Sequence, residues 1–329
     1  MQLRRFLPSS FFSRLTLGIV FCEALIVIVL ESLIYTDYQR AVISQYIPYS
    51  PGRGIPVYLI IFVFSQVFQF ILVWDAVVHK NTIQIIGFAV SNLCCFIFSI
   101  FQFSQIQDSL KTGFITVDSA EIYQEIKLKL IGVTIVTGGT EIAYLYLGWQ
   151  LYKDFGWQIY KKIGADPQMK NMYRAYQIFL MLLKLDIFFF LGFSIQFLVL
   201  ILQPGGDIEF PLTILAIPLT IAILLIAVWS VRHESRTMMI IFLMGLVGGM
   251  IYFIFKLVRM YDPSQELKYQ HIVLFLTAFA VLSFIALVLT FVNAIVCWMN
   301  FGKGLKQHLL HTSGAEYTQT NPTRIMSIE

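Results

Sequence analysis

The chain has 329 residues, of which 58% are hydrophobic and 13% charged, and its mean hydropathy is +0.75. Soluble chains carry about 25% charged residues, so the composition excludes an ordinary soluble globular protein. The net charge of +4 is small and gives no reason to invoke a nucleic-acid partner.

A helix that crosses a hydrocarbon core about 30 Å thick needs about 20 apolar residues, because its backbone polar groups must be satisfied within the segment. In chain order, such stretches run from about Leu15 to Tyr35, Pro56 to Val78, Ile83 to Ser104, Leu128 to Tyr152, Tyr176 to Leu202, Phe210 to Val231, Met238 to Leu257 and His271 to Met299. The expected fold class is all-α: a polytopic transmembrane helical bundle of about eight spans. Residues 1–311 form its transmembrane helical domain, and residues 312–329 form a polar, disordered tail.

The first stretch follows Arg4, Arg5 and Arg14, as a signal peptide would. It is longer than a typical apolar signal core, contains Glu23 and Glu31, and ends without a small-residue cleavage pattern. It is therefore expected to stay as an anchor. Lys and Arg are more numerous on the side of the N-terminus, the even-numbered connections and the tail, so both termini are expected in the cytosol. That basic face is expected to meet anionic lipid head groups, although topogenic bias alone also accounts for it.

Cys22, Cys94, Cys95 and Cys297 all fall inside spans, so no disulfide framework is expected outside the membrane. His308 and His311 are three apart in the tail without a nearby Cys, and no metal or cofactor is expected. The Gly-x-Ser-x-Gly elbow, the His-Glu-x-x-His zinc motif and the Walker loop are absent from the sequence, and no enzyme is expected.

Ionisable residues inside spans are the main functional leads, because each costs about 2.5 to 3.5 kcal/mol at mid-membrane on insertion scales. Asp75 lies beside His79 and Lys80 and reads as interfacial, and Glu31 lies close enough to the end of its span to reach water. The deeper candidates are Glu23, Glu141, Lys184 and Asp186. Lys184 and Asp186 are two residues, or about 200°, apart on a helix and cannot pair with each other. The economical expectation pairs Lys184 with Glu141 or Glu23, and gives Asp186 hydrogen bonds from Thr, Tyr or Asn groups.

Thr134, Thr137, Gly138 and Glu141 share one face of the fourth span, and Gly138 with Gly139 allows either close approach or a loosened helix. Gly245-x-x-x-Gly249, with Gly248 beside it, is a close-packing surface expected to serve contacts within the chain. The connection from Lys153 to Arg174 is a basic cytosolic loop: Lys153, Lys161, Lys162, Lys170 and Arg174 alternate with Trp157, Tyr160, Met169, Met172, Tyr173 and Tyr176. Gly164 and Pro167 break it into two pieces, and it suits either the membrane surface or an adaptor.

The run Lys161-Lys162-Ile163-Gly164-Ala165-Asp166-Pro167, then Met172-Tyr173-Arg174-Ala175-Tyr176-Gln177-Ile178-Phe179, then Leu183-Lys184-Leu185-Asp186-Ile187-Phe188-Phe189-Phe190-Leu191-Gly192-Phe193, resembles the signature region of a fungal family of multi-pass Golgi apparatus membrane proteins. The specific match covers roughly 35 residues; elsewhere only the span pattern and length agree. The resemblance implies a Golgi membrane location and a fungal source, and supplies neither a reaction nor functional residues. Two functions remain open. One is a non-catalytic membrane organiser or trafficking component, with the lipid bilayer and trafficking proteins as partners. The other is a proton-linked secondary transporter using the intramembrane carboxylates and Lys184. The two separate on geometry: a carrier brings the four deep groups to a shared hydrated cavity, whereas an organiser closes them into pairs.

Overall fold

A computed structural model of the protein describes residues 10–41, 55–111, 119–163, 166–200, 209–262 and 273–304. They form eight long helices: α1 Phe11–Ala41, α2 Ile55–Val78, α3 Thr82–Lys111, α4 Ser119–Ile163, α5 Pro167–Leu200, α6 Glu209–His233, α7 Arg236–Met260 and α8 Val273–Met299. All eight are long and apolar enough to cross a membrane, and no strand occurs among the described residues. The expected tail at 312–329 lies outside the described residues.

Local chemistry sets several boundaries. Asn81 caps α3, its side-chain oxygen accepting the backbone N–H of Ile83 at 3.0 Å and of Gln84 at 3.3 Å. Asp166 caps α5 through the N–H of Gln168 at 2.9 Å, and Pro167 takes the first helical position, where a missing N–H costs nothing. The turns α2–α3 and α6–α7 share one geometry. Lys80 (φ 54°) and Glu234 (φ 52°) adopt the left-handed conformation. The following N–H closes the turn, from Asn81 to the Ala76 carbonyl at 2.8 Å and from Ser235 to the Ser230 carbonyl at 3.0 Å.

The helices pack as two rings of four. In the first, α1 lies against α2 and α4, and α3 against α2 and α4; in the second, α5 lies against α6 and α8, and α7 against α6 and α8. The neighbour order is the same in both, and the shared turn geometry falls between the second and third helices of each. No repeat is evident in the sequence, so the correspondence lies in packing and not in residue identity.

Helix α5 joins the rings by packing on α2 and α3. Phe188 stacks on Phe68 and Phe64, with ring centroids 4.6 and 5.6 Å away. Met181 occupies the space over Gly87, where an added Cβ would meet its Cε at 2.1 Å. Val57 and Ile61 of α2 share a core cluster with Phe190, Phe193 and Phe197 of α5 and Phe253 of α7.

Helix α4 is continuous for 45 residues, roughly 65 Å at 1.5 Å per residue. It runs unbroken through Gly138 and Gly139, so the loosened helix that the glycine pair suggested does not form. The two glycines also differ: a Cβ on Gly138 would lie 2.7 Å from the Phe96 ring, whereas one on Gly139 would meet nothing within 4 Å. Gly138→Ala is expected to lower the melting temperature in detergent, because moving a packed ring costs about 1 to 3 kcal/mol. Gly139→Ala should leave it unchanged or raise it, since alanine gains about 1 kcal/mol over glycine in a helix.

Candidate functional site

Helix α1 turns three acids into the first ring, with Glu23 2%, Glu31 1% and Asp37 6% exposed. Each is met by a side chain of α3 or α4. The Tyr144 hydroxyl of α4 donates to Glu23 Oε2. Gln102 of α3 donates to Glu31 Oε2 at 2.9 Å, and Lys129 of α4 forms an ion pair with Asp37. Asn92 of α3 donates to Glu141 Oε2 at 3.0 Å. Glu31 is therefore enclosed by the bundle and does not reach water as expected from its place near the span end.

The amides in this ring carry no charge, so a reading of the sequence by ionisable groups misses them. Gln66, Gln69, Gln84, Asn92 and Gln102 are all buried. Gln69 Nε2 lies 3.0 Å from the Cys95 sulfur, and Ser65 Oγ lies 3.4 Å from it. A signal was present: Asn92, Cys95, Ser99 and Gln102 recur at alternating spacings of three and four, which places them on one helix face.

At the junction between rings, Lys184 of α5 is ion-paired with Asp75 of α2. This corrects the expected pairing with Glu141 or Glu23, which are taken by Asn92 and Tyr144. His79, one turn after Asp75, places Nδ1 3.1 Å from Asp75 Oδ1, in keeping with the reading of Asp75 as interfacial. His79 lies beyond the end of the span, and its hydrogen bond to Asp75 raises its pKa above the ordinary imidazole value, outweighing the opposing effect of burial.

Asp186 points to α8, where Thr290 Oγ1 donates to Oδ2 at 2.6 Å. The expectation of a hydroxyl or amide donor there holds, and Lys184 and Asp186 do have separate partners. Beside Asp186 is a cavity of about 50 Å³, bounded by α5, α6, α7 and α8 and including Gly245 and Gly249 in its wall. An added Cβ at Gly245 would lie 3.0 Å from Ile223 of α6, and one at Gly249 would lie 3.4 Å from Leu287 of α8. The glycine pair thus serves contacts within the chain. Glu23, Glu141, Lys184 and Asp186 do not meet at one cavity.

Two further placements differ from the sequence reading. Lys256, near the end of the seventh stretch and not named among the intramembrane candidates, is fully buried on α7, with Nζ 3.7 Å from the centroid of the Phe197 ring. The basic loop is mostly helix. Lys153 is exposed on α4 with Nζ 5.0 Å from the Trp149 ring centroid, and Lys170 and Arg174 are exposed on α5. Lys161 and Lys162 belong to α4 by backbone, and their side chains lie outside the described residues, as do Gly164 and Ala165.

Eight apolar helices with polar groups paired between them define a multi-pass α-helical membrane protein. No family model and no solved structure matches the chain. It is 32% identical over 313 residues to the UPF0658 Golgi apparatus membrane protein C23H3.04 of Schizosaccharomyces pombe, a match covering 87% of this chain and 88% of the relative. The chain belongs to that fungal family of Golgi apparatus membrane proteins, and its location is the Golgi membrane.

Two outcomes are expected at the junction. In a double-mutant cycle of Asp75→Asn and Lys184→Met followed by thermal melting, the coupling should be about 0.6 to 2 kcal/mol, the scale of interhelical polar contacts in membranes. A group whose pKa is raised by folding stabilises below its unfolded pKa, about 6.5 for histidine. That stability is lost as pH rises through the folded value. His79→Gln should therefore lower the melting temperature more at pH 5.5 than at pH 8.5.

Proposed function

We propose that the protein is a non-catalytic organiser of the Golgi membrane: a helical scaffold whose intramembrane polar groups fix its shape and whose basic helix ends recruit trafficking partners. The observation that supports this reading is that each of the deep groups has its own partner. Glu23, Glu141 and Asp186 are each met by a neutral donor on another helix, and Lys184 by a carboxylate. These contacts specify which helices are neighbours and do not enclose a common substrate. In this reading the termini face the cytosol, as does the basic end shared by α4 and α5. Exposed Lys153, Lys170 and Arg174, with Trp149 and Tyr152 exposed nearby, suit a surface at the head-group level, where aromatic rings and basic side chains both find favourable places.

A second reading, a proton-linked carrier, is favoured by one observation, the matching neighbour order of the two rings. Carriers are often built from such repeats, with the binding site at their interface. Purified protein in liposomes under an imposed pH gradient separates the two. The organiser predicts no proton or solute flux above that of protein-free vesicles, and flux abolished by Lys184→Met in a folded variant would replace it with the carrier. As a positive arm, a Lys153→Gln, Lys170→Gln, Arg174→Gln variant should melt like wild type yet lose its steady-state Golgi retention in cells.

A further inference from the structure

We propose that Asp186 is a reversible proton-binding group served by a small hydrated pocket between α5, α6, α7 and α8. The side chain is 4% exposed and lines the 50 Å³ cavity. Thr290 engages Oδ2 at 2.6 Å, while Oδ1 has no hydrogen-bond partner among the described residues. The cavity exceeds several-fold the roughly 10 to 15 Å³ that one water requires. Besides Asp186, its polar side chains are Thr220 of α6 and Ser283 of α8, and the rest of the wall is apolar or glycine. Waters placed there have a carboxyl oxygen and hydroxyls to bind.

An ionised carboxylate enclosed with one hydroxyl donor is strongly disfavoured in an apolar medium, so Asp186 calls for a positive charge. Among the described residues, the neighbouring helices do not deliver one. On α5, Lys184 is ion-paired with Asp75. The pocket residues of α6, α7 and α8 include no titratable side chain. Lys256 of α7 holds its Nζ over the Phe197 ring, and Cys297 of α8 is directed to Asn293. Hard divalent cations take about six or more oxygen ligands, more than Asp186, Thr220 and Ser283 supply, whereas a proton needs a single oxygen. Binding forms one O–H bond on the carboxyl and breaks one O–H bond of a hydronium carried in through the pocket waters, which stays behind as neutral water, so the site's charge changes from −1 to zero.

Access is consistent with the local backbone. Pro218 lies inside α6, two residues before Thr220, and removes the amide that would otherwise donate to the Ile214 carbonyl, which loosens that wall of the pocket. The inference does not depend on net transport, since a scaffold can carry such a group as readily as a carrier.

Infrared difference spectroscopy of the full chain in lipid nanodiscs across pH 4 to pH 9 tests it. A protonated-carboxyl band that disappears as pH rises is expected in wild type. Asp186→Asn should remove it, while Glu23→Gln and Glu31→Gln should retain it. Thr290→Val, which deletes the hydroxyl partner without deleting the acid, should move the band and its midpoint. Gly249→Ala should slow its hydrogen–deuterium exchange by narrowing the cavity. A wild-type spectrum that does not change with pH, or the same pH-dependent band in Asp186→Asn, overturns the proposal. Displacement of the band by sodium chloride but not by choline chloride overturns it in favour of a metal-cation site.

Discussion

A carboxyl group inside hydrocarbon has no bulk water to fall back on and here takes a partner from another helix, and that requirement governs the arrangement of this bundle. Along α1, Glu23, Glu31 and Asp37 reach α4, α3 and α4 in turn. Rotating α1 by one residue would detach all three at once. Interhelical hydrogen bonds in membranes average only about 0.6 kcal/mol, so these contacts do less for stability than for choice of neighbour. Misplacing any one of the acids leaves it enclosed without a donor, and that penalty is much larger than the bond itself.

The two rings meet through a narrower set of interactions than hold each ring together. Helix α5 supplies the junction: Met181 over Gly87, Lys184 against Asp75, and Phe188 against Phe64 and Phe68. The contact continues along α5 through Phe190, Phe193 and Phe197, which cluster with Val57 and Ile61 of α2. Each ring thus has its own polar interior, and the ion pair is placed where relative displacement of the rings would be felt first. Small residues fix the other close approaches. Gly138 admits Phe96 and Gly192 admits Phe279, in both cases a ring edge where a Cβ would stand.

The span count and approximate boundaries were legible in the sequence because an uninterrupted apolar run has few alternatives to a membrane helix. Helix ends were less so. Lys127, Lys153 and Asp154 fall outside the apolar stretch from Leu128 to Tyr152, yet all lie on α4, since charge marks departure from hydrocarbon and not the end of a helix. Partner choice was not legible. A helical wheel gives the direction of Lys184 but not which helix lies in that direction, and setting Asp75 aside as interfacial removed its actual partner from consideration. Thr290 for Asp186 agreed with expectation because hydroxyl donors are the common solution for an isolated acid. The buried glutamines and Asn92 were visible as a stripe with alternating spacing, and were passed over because amides carry no charge.

The partners of the acids within the bundle fall into two chemical kinds. Asp37 and Asp75 are met by lysines, Lys129 and Lys184, and those contacts require the acids to be ionised. Glu23, Glu31, Glu141 and Asp186 are met by Tyr144, Gln102, Asn92 and Thr290, groups that both donate and accept. A hydroxyl that donates to a carboxylate can turn to accept from a carboxylic acid, and an amide can present its oxygen instead of its nitrogen. The second group of contacts survives the gain of a proton, and the first does not. The bundle therefore holds its shape through fixed charges toward the helix ends, at Asp75 and Asp37, while the acids between them keep a hydrogen bond in either protonation state. Among those four, Asp186 is the one that lines the cavity between α5 and α8, where water can bring a proton and take it away.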